Sequence, residues 1–326
     1  MRIGVIGGGA WGTALAQLAA ADGEPVVMWA RETEVVGAIN QTHENRIFLP
    51  GIALSPSIVA TGALSDLEVC DALLVVAPAQ HLGAVLAETP VGQRPLVLCA
   101  KGIEASTGRL MSEVAAALHS NAPIAVLSGP CFAREVAERR PTAVTLAATE
   151  PAIARALSHR LARPEFRPYA SDDVIGAEIG GAVKNVIAIA CGVVAGLDLG
   201  ENARAALIAR GFAEMARFGV ARGARAETLA GLSGLGDLVL TCSSVQSRNY
   251  ALGKALGEGG DADTLVGLGQ SVAEGAFTAA VLVREAARVG VAMPVAEAVA
   301  AMIDEGREAR AVVAELLARP LRDEAT

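Results

Sequence analysis

The sequence predicts an α/β domain with a doubly wound parallel sheet, followed by an all-α domain. Three observations predict this fold. Short apolar strands alternate with helical stretches through the first half, strand signals end after Pro168 and Tyr169, and long alanine-rich helical segments follow. Short strands joined by helical crossovers are typical of a sheet that helices cover on both faces. The boundary near residues 170–176 divides the chain into a Rossmann-like domain, 1–172, and a helical domain, 173–326.

Each predicted strand is a short apolar run, and each predicted helix of the second half is rich in alanine. The strands are expected at residues 3–6, 25–29, 58–60, 73–77, 96–99, 124–127 and 143–147. The helices of the second half are expected at about residues 172–197, 201–222, 247–257, 271–290 and 294–305. The last of them begins at Pro294, and proline is favoured in a first helical turn.

The composition limits the possible functions. Hydrophobic residues make up 52% of the chain and aromatic residues only 3%, so aliphatic side chains and alanine fill the predicted cores. The formal net charge of −8 argues against a general surface for nucleic acid or anionic membranes. It also means that an anionic substrate needs a local cluster of cations.

Cysteine and histidine usage indicates the compartment. The five cysteines are scattered and form no C-x-x-C pair, which indicates a reducing cytoplasm, and the four histidines form no metal motif. No signal peptide is expected, because the first residues lead directly into a core strand. The apolar stretch 186–197 is shorter than the roughly 20 residues of a membrane span. We therefore expect a cytoplasmic protein without a metal site or an integral membrane segment.

A glycine loop follows the first strand and precedes a helix. Gly7 is suited to the tight turn, Gly9 lets backbone approach a pyrophosphate, and Gly12 lets the helix pack close to the strand. The helix N-terminus presents free N–H groups and a positive dipole to phosphates. The loop predicts a dinucleotide site, and an ordinary glycine-rich turn is the alternative.

Arg31 lies about 20 residues beyond the glycine loop, at the position where dinucleotide-binding domains carry the residue that contacts the cofactor ribose. A carboxylate there binds the 2′-hydroxyl of NAD, whereas an arginine suits the 2′-phosphate of NADP. A solvated surface arginine explains the residue equally well, and Glu32 could pair with Arg31 or bind the ribose. The sequence leaves the choice between NADP(H) and NAD(H) open.

Two lysines are candidates for chemistry. Lys101 follows a predicted strand, where ligands of open α/β sheets bind, although a surface lysine is the alternative. Lys184 interrupts an apolar helix, one turn after Gly180 and Gly181. A buried lysine tends to lose its proton and can act as an acid or base near neutral pH. The alternative is that Lys184 reaches solvent along its stem.

Two loops of the second half carry further candidates. Asp237 ends a segment with three glycines in six residues, and it either caps the next helix or lies in an active site. Ser247 and Arg248 precede a helix whose N-terminus suits a phosphate. The alternative is that Ser247 is only an N-cap and Arg248 lies in water.

Taken together, the motifs resemble the bacterial-type NAD(P)-dependent glycerol-3-phosphate dehydrogenases along nearly the whole chain. The residues that carry the resemblance lie at 7–16, 45–50, 101–104, 127–133, 178–186, 234–238, 241–242, 247–249 and 273–275. The resemblance implies reversible hydride transfer between NAD(P)H and dihydroxyacetone phosphate, which gives sn-glycerol 3-phosphate for phospholipid synthesis. A homodimer is also expected, because the family usually dimerises.

The resemblance also implies residue roles, with Lys184 as the proton donor and acceptor. The implied substrate contacts are Lys101, Gly129, Cys131, Lys184, Asp237, Ser247, Arg248 and Asn249. The implied cofactor contacts are Gly7, Gly9, Ala10, Trp11, Gly12, Arg31, Phe48, Lys101, Ala133, Arg248, Val272 and Glu274.

The chain departs from the family pattern at three of these positions. Cys131 stands where the family usually has serine, so a hydroxyl hydrogen bond near the substrate becomes a weak thiol contact. Phe48 replaces the usual tyrosine, and Ala10 replaces a common serine or threonine. Two alternative functions remain: reduction of another small carbonyl acid or sugar phosphate, and nucleotide-dependent regulation without turnover.

Overall fold

The computed structural model describes residues 1–262, 266 and 273–320. Within this part, the amino-terminal half forms one eight-stranded sheet in the order β3-β2-β1-β4-β5-β6-β7-β8. The strands are β1 (Ile3–Ile6), β2 (Val26–Trp29), β3 (Ile58–Thr61), β4 (Ala72–Val75), β5 (Leu96–Leu98), β6 (Ile124–Ser128), β7 (Thr142–Ala148) and β8 (Phe166–Ser171). Strands β1 to β6 are parallel. The predicted Rossmann-like α/β fold is confirmed.

Helices cover both faces of this sheet with buried aliphatic side chains. They are α1 (Ala10–Ala19), α2 (Thr33–Thr42), α3 (Ala79–Glu88), α4 (Met111–Leu118), α5 (Ala133–Ala137) and α6 (Pro151–Leu161), with a 3-10 turn at Leu64–Val69. Because β1 to β6 share one direction, the loops after β1, β4, β5 and β6 meet at one edge. This edge positions the candidate residues of the first half.

The last two strands differ from the prediction. Strand β7 runs antiparallel to β6, because the connection carries only the five-residue helix α5, which packs on α1 instead of crossing back along the sheet. Strand β8, which pairs in parallel with β7, was not predicted. Strand β8 is the outermost strand of the sheet and only its first residue is buried, so it has no apolar run that the sequence analysis could detect. An outermost strand also tolerates a proline, here Pro168.

The described residues of the second half are helical, as predicted. The helices are α7 (Val174–Gly196), α8 (Gly200–Ala221), α9 (Ala226–Leu229), α10 (Asp237–Thr241), α11 (Arg248–Gly257), α12 (Glu274–Arg288), α13 (Pro294–Asp304) and α14 (Ala309–Leu317), with a π-helical turn at Leu232–Gly236. The domain boundary between residues 172 and 173 stays a prediction. Strand β8 ends at Ser171 and α7 begins at Val174.

Helix α7 is the centre of the helical half. Among the described helices it alone has the length and mean hydropathy of a membrane span, and 89% of that window is buried inside the protein. Close packing on α11 depends on glycines of both helices. A Cβ on Gly192 would lie 2.1 Å from the Tyr250 carbonyl oxygen, and one on Gly253 would lie 1.9 Å from that of Ile189. This close approach brings the N-terminus of α11 beside the middle of α7.

Candidate active site

The carboxylate of Asp237 joins Lys101 and Lys184, which come from different halves of the chain. These three side chains are called the centre below. Lys184 Nζ donates to Asp237 Oδ1 at 2.5 Å, and Lys101 Nζ donates to Oδ2 at 2.7 Å. The Asp237 side chain is 0% exposed, Lys184 is 7% exposed and Lys101 is 16% exposed. Lys184 therefore does not reach solvent along its stem, and Asp237 binds cations instead of capping α10.

Local sequence explains how these three side chains meet. Gly181 faces the sheet, where a Cβ would lie 2.9 Å from Ser128 Oγ and 3.2 Å from Lys101 Cγ. Gly180 faces the π-helical turn, where a Cβ would lie 2.4 Å from the Ser233 carbonyl oxygen. The paired glycines let α7 lie close to both segments, and one turn later Lys184 reaches Asp237, which directly follows the π-helical turn.

The two lysines differ in their affinity for a proton. Burial lowers the pKa of Lys184, Asp237 opposes this and Lys101 adds to it, so that the pKa falls from 10.5 to about 8. Burial by itself would also lower the pKa of Lys101, but the charge and the hydrogen bond of Asp237, together with smaller contributions from neighbouring groups, raise it above its usual value. Lys101 therefore stays charged, whereas Lys184 exchanges its proton near physiological pH.

Further polar side chains complete this centre, although only the resemblance motifs had drawn attention to them. Thr241 Oγ1 accepts from Lys184 Nζ at 2.9 Å and donates to Asp237 at 3.2 Å. Asn185 donates to the Lys101 carbonyl oxygen at 3.1 Å and accepts from Asn249 at 3.0 Å. The spacing of Asp237 and Thr241 on one helical face is a signal in the sequence that predicts their contact.

The residues after β6 form one wall of the centre. Gly129 has φ +149°, and a Cβ there would lie 2.9 Å from Val144 Cα. Its carbonyl oxygen accepts from Lys101 Nζ at 3.1 Å and from Cys131 Sγ at 3.2 Å. Burial raises the pKa of the Cys131 thiol, which is therefore a neutral, weak donor beside the two lysines.

The glycine loop has the geometry that a pyrophosphate requires. Gly7 has φ +129°, and a Cβ on Gly12 would lie 2.0 Å from the Gly7 carbonyl oxygen. Space beside Gly9 is open to at least 4 Å, and neither a capping side chain nor an acidic residue occupies the N-terminus of α1. Free N–H groups at an uncapped helix N-terminus bind anions. The loop therefore fits a dinucleotide and is more than a tight turn.

Asn45 is a buried residue whose part in this loop the sequence analysis missed. Its amide donates to the Gly8 carbonyl oxygen and to Thr13 Oγ1, both at 2.8 Å, and accepts from Phe48 N at 3.1 Å. Asn45 thereby ties Phe48 to the glycine loop. The half-buried Ala10, Trp11, Phe48 and Ala133 pack against the same hydrophobic core.

Arg31 lies just beyond the end of β2, and its side chain is 79% exposed. Its guanidinium pairs with Glu32 at 3.2 Å, which is one of the two roles that the sequence suggested for Glu32. An exposed ion pair contributes little to stability and leaves both groups available to a ribose or its phosphate.

Glu274 connects α12 of the helical half to the sheet edge. Its Oε1 accepts from Ala79 N at 3.0 Å, at the N-terminus of α3, and its Oε2 is buried without a partner among the described residues. Burial raises the pKa of Glu274, and Arg248 opposes this. The Arg248 side chain itself is exposed. Val272 lies outside the described residues.

At the N-terminus of α11 the structure shows the N-cap that one interpretation of the sequence expected. Ser247 Oγ accepts from Tyr250 N at 3.2 Å and so acts as the N-cap of the helix. Asn249 Oδ1 accepts from Gly275 N at 2.9 Å. Asn249 thus links α11 to Gly275 of α12 and to Asn185 of α7. Asn185 in turn donates to the Lys101 carbonyl oxygen and so connects Asn249 to the centre.

Comparison with known proteins gives a consistent result. A family model described as the NAD-dependent glycerol-3-phosphate dehydrogenase N-terminus matches residues 2–154, and the model of the C-terminus matches residues 173–314. A protein of Erythrobacter litoralis named glycerol-3-phosphate dehydrogenase (NAD(P)+) is 63% identical over 323 residues, which cover 99% of this chain and 98% of that protein. A relative with the same activity name in Sphingopyxis alaskensis is 59% identical over 324 residues and has 99% and 98% coverage.

Solved structures resemble the chain over its whole length as well. The crystal structure of glycerol-3-phosphate dehydrogenase from Coxiella burnetii has a TM-score of 0.93 at 37% identity, covering 98% of this chain and 99% of that one. The yeast glycerol-3-phosphate dehydrogenase has a TM-score of 0.81 at 28% identity, covering 98% and 99%.

Proposed function

Because the chain belongs to the NAD-dependent glycerol-3-phosphate dehydrogenase family, we infer that it is an NAD(P)-dependent oxidoreductase. It reversibly reduces dihydroxyacetone phosphate to sn-glycerol 3-phosphate, the precursor of glycerophospholipids. The observation that carries the chemistry is the buried contact of Lys184, Asp237 and Lys101, where Lys101 follows β5 at the same end of the parallel strands as the glycine loop. Neither alternative from the sequence has comparable support. The relatives at 63% and 59% identity are named for glycerol 3-phosphate and not for another carbonyl substrate, and a regulator without turnover does not require a buried lysine with a shifted pKa.

We propose that NAD(P)H is held by the residues that the resemblance implies as cofactor contacts. The N-terminus of α1 and the open space at Gly9 receive the pyrophosphate, and Arg31 with Glu32 lies toward the ribose. When bound, the nicotinamide supplies or accepts the hydride. The same proposal places Phe48 and Ala133 against the cofactor, together with Glu274 near α3.

We propose Lys184 as the acid and base of the reaction. As the ketone carbon is reduced, Lys184 Nζ donates a proton to the developing alkoxide, and in the reverse direction it accepts the hydroxyl proton. Asp237 orients Lys184, and Lys101 adds a positive charge in a largely buried site. Arg248 binds the substrate phosphate from the start of α11, with Ser247 and Asn249 beside it.

The pH dependence of the two directions is expected to differ. Lys184 has a pKa of about 8, so it is a proton donor below that pH and a proton acceptor above it. The kcat/KM for reduction should fall about tenfold per pH unit above pH 8, and that for oxidation should rise up to pH 8. Rate profiles over roughly pH 6 to 10 measure both. Flat profiles in wild type, or an inflection that persists in Lys184→Arg, would contradict the assignment.

The substrate assignment is tested by NADPH oxidation with dihydroxyacetone phosphate and with dihydroxyacetone, which lacks the phosphate. Wild type should strongly prefer the phosphate ester, and Arg248→Ala should raise its KM by about tenfold or more, since hydrogen bonds between charged groups are lost. At saturating NADPH, Arg248→Ala should raise the KM for dihydroxyacetone far less than the KM for the phosphate ester. Equal rates with both ketones in wild type would refute the proposed substrate, and an unchanged KM in Arg248→Ala would move the phosphate site elsewhere.

We also propose that the enzyme is a cytoplasmic homodimer, as the family resemblance implies. All five cysteines are unpaired, which supports a reducing compartment. Sedimentation velocity of the purified protein measures the oligomeric state directly.

A further inference from the structure

Asn45 holds the glycine loop from its buried side. The residue is 0% exposed, and its amide has partners on three segments. Nδ2 donates to the Gly8 carbonyl oxygen and to Thr13 Oγ1, both at 2.8 Å, and Oδ1 accepts from Phe48 N at 3.1 Å. A carbonyl oxygen only accepts and a backbone N–H only donates, so these partners fix the orientation of the amide.

Thr13 extends this contact to the next residue of the loop. Thr13 is also 0% exposed, and its hydroxyl accepts from Asn45 and donates to the Gly9 carbonyl oxygen at 2.9 Å. The backbone N–H of Thr13 donates to the same oxygen at 2.9 Å. The carbonyl oxygens of Gly8 and Gly9 are therefore both held toward the buried side of the loop.

The direction of these two carbonyl groups determines the direction of two N–H groups. The described chain contains no cis peptide bond, and in a planar trans peptide the C=O and the following N–H point in opposite directions. The N–H groups of Gly9 and Ala10 therefore point away from Asn45 and Thr13. Neither N–H donates to a group in the part of the chain that the structure describes, so both are free to bind an anion.

We propose that Asn45 and Thr13 are positioning residues for the cofactor pyrophosphate. By holding two carbonyl oxygens inward, they aim the N–H groups of Gly9 and Ala10 outward before the cofactor binds, which reduces the cost of ordering the loop on binding. Both residues are fully buried, so they act through the loop and do not touch the cofactor themselves. This inference rests on the proposed function, because the anion is the pyrophosphate of NAD(P)H.

The first test is the Kd for NADPH, measured by fluorescence titration without substrate. Asn45→Ala removes the donor to Gly8 and should raise this Kd about tenfold or more. ADP-ribose keeps the pyrophosphate but lacks the nicotinamide, and its affinity, measured by displacement of NADPH, should fall by a similar factor. The KM for NADPH should rise with the Kd, whereas the KM for dihydroxyacetone phosphate at saturating NADPH should change far less.

Asn40→Ala is the matched control for a purely structural effect. Asn40 joins α2 to β3 in the same half of the chain, where its amide donates to the Ala60 carbonyl oxygen at 2.9 Å and accepts from Ala60 N at 2.8 Å. Its replacement should lower the free energy of unfolding in urea and leave the Kd for NADPH unchanged.

Thr13→Val tests the same loop without altering the contact to Phe48, and it tests the proposal even if Asn45→Ala does not fold. The substitution keeps the shape of the side chain and removes the hydroxyl, so the Kd for NADPH should rise at least about threefold. Thr13→Ser keeps the hydroxyl and should bind NADPH as wild type does. Thr42→Val removes a hydroxyl that donates to the Ala38 carbonyl oxygen at 2.8 Å on α2, and it should not change the Kd.

The possible outcomes separate this inference from the proposed function. If wild type binds NADPH and reduces dihydroxyacetone phosphate but Thr13→Val binds NADPH as wild type does, the inference is overturned and the proposed function stands. A rise in Kd confined to Asn45→Ala would assign the effect to Phe48 and also overturn it. Equal weakening by Asn40→Ala and Asn45→Ala would do the same, since general loss of stability would be the cause. Wild type that does not bind NADPH would overturn both proposals.

Discussion

Replacing Lys184 with alanine is expected to lower kcat by about 10²- to 10⁴-fold, while the Kd for NADPH stays unchanged. The expected loss is large because, in the proposed mechanism, the buried Lys184 both polarises the carbonyl and carries the proton. Stopped-flow or steady-state NADPH oxidation measures kcat, and fluorescence titration measures the Kd.

Two further variants make this result specific. Lys184→Arg keeps the positive charge but cannot release a proton in the working pH range, so kcat should stay low. Lys254→Ala removes an exposed lysine of α11 that pairs with Glu258, and it should retain the kcat of wild type. Normal turnover in Lys184→Ala would remove Lys184 from the role of acid and base.

Replacing Asp237 with alanine is expected to reduce both activity and stability. The substitution leaves Lys101 and Lys184 buried without their shared carboxylate, and breaking a buried ion pair in this way lowers the free energy of unfolding by about 3–5 kcal/mol. Urea unfolding at neutral pH measures the loss, and NADPH oxidation should show a kcat reduced by at least about tenfold.

The pH dependence of this loss identifies its cause. Without Asp237 the pKa of Lys184 falls further, so the folded state releases its proton while the unfolded state still holds one. Stability then rises with pH in this interval, and the deficit against wild type should be smaller at about pH 9 than at about pH 7. A deficit that does not depend on pH would point to lost packing instead. Asp304→Ala, at an exposed aspartate, is the control and should unfold as wild type does.

Much of the fold follows from local patterns in the sequence. The apolar runs located β1 to β7 to within a few residues, and the alanine-rich segment predicted at 172–197 is observed as Val174–Gly196. Strand β8 was missed because an edge strand buries little and needs no apolar run. The direction of β7 was missed because the sequence does not show which way a short connection turns.

The residues of the candidate site also divide into those that the sequence indicated and those whose role only the structure revealed. The glycine loop and Lys101 were singled out because each follows a predicted strand, where ligands of open α/β sheets bind. Lys184 was singled out because a lysine is costly inside an apolar helix. Asn45 and Thr241 were noticed only within motifs, because a buried polar side chain is recognised by its partners, and these lie far away in the chain.

The sequence by itself predicted a dinucleotide site after the first strand and a Rossmann-like sheet in the first half, and it showed that a lysine interrupts a long apolar helix. These conclusions depend on local periodicity and on the steric properties of single residues. Only the tertiary structure decided that one carboxylate serves two lysines, which lie 53 and 136 residues from Asp237 in the chain. Burial and the shared charge set the two pKa values apart, and both arise from packing between distant segments. The glycine loop can therefore be identified in the sequence, whereas the ion pair and the lowered pKa of Lys184 arise only from the fold.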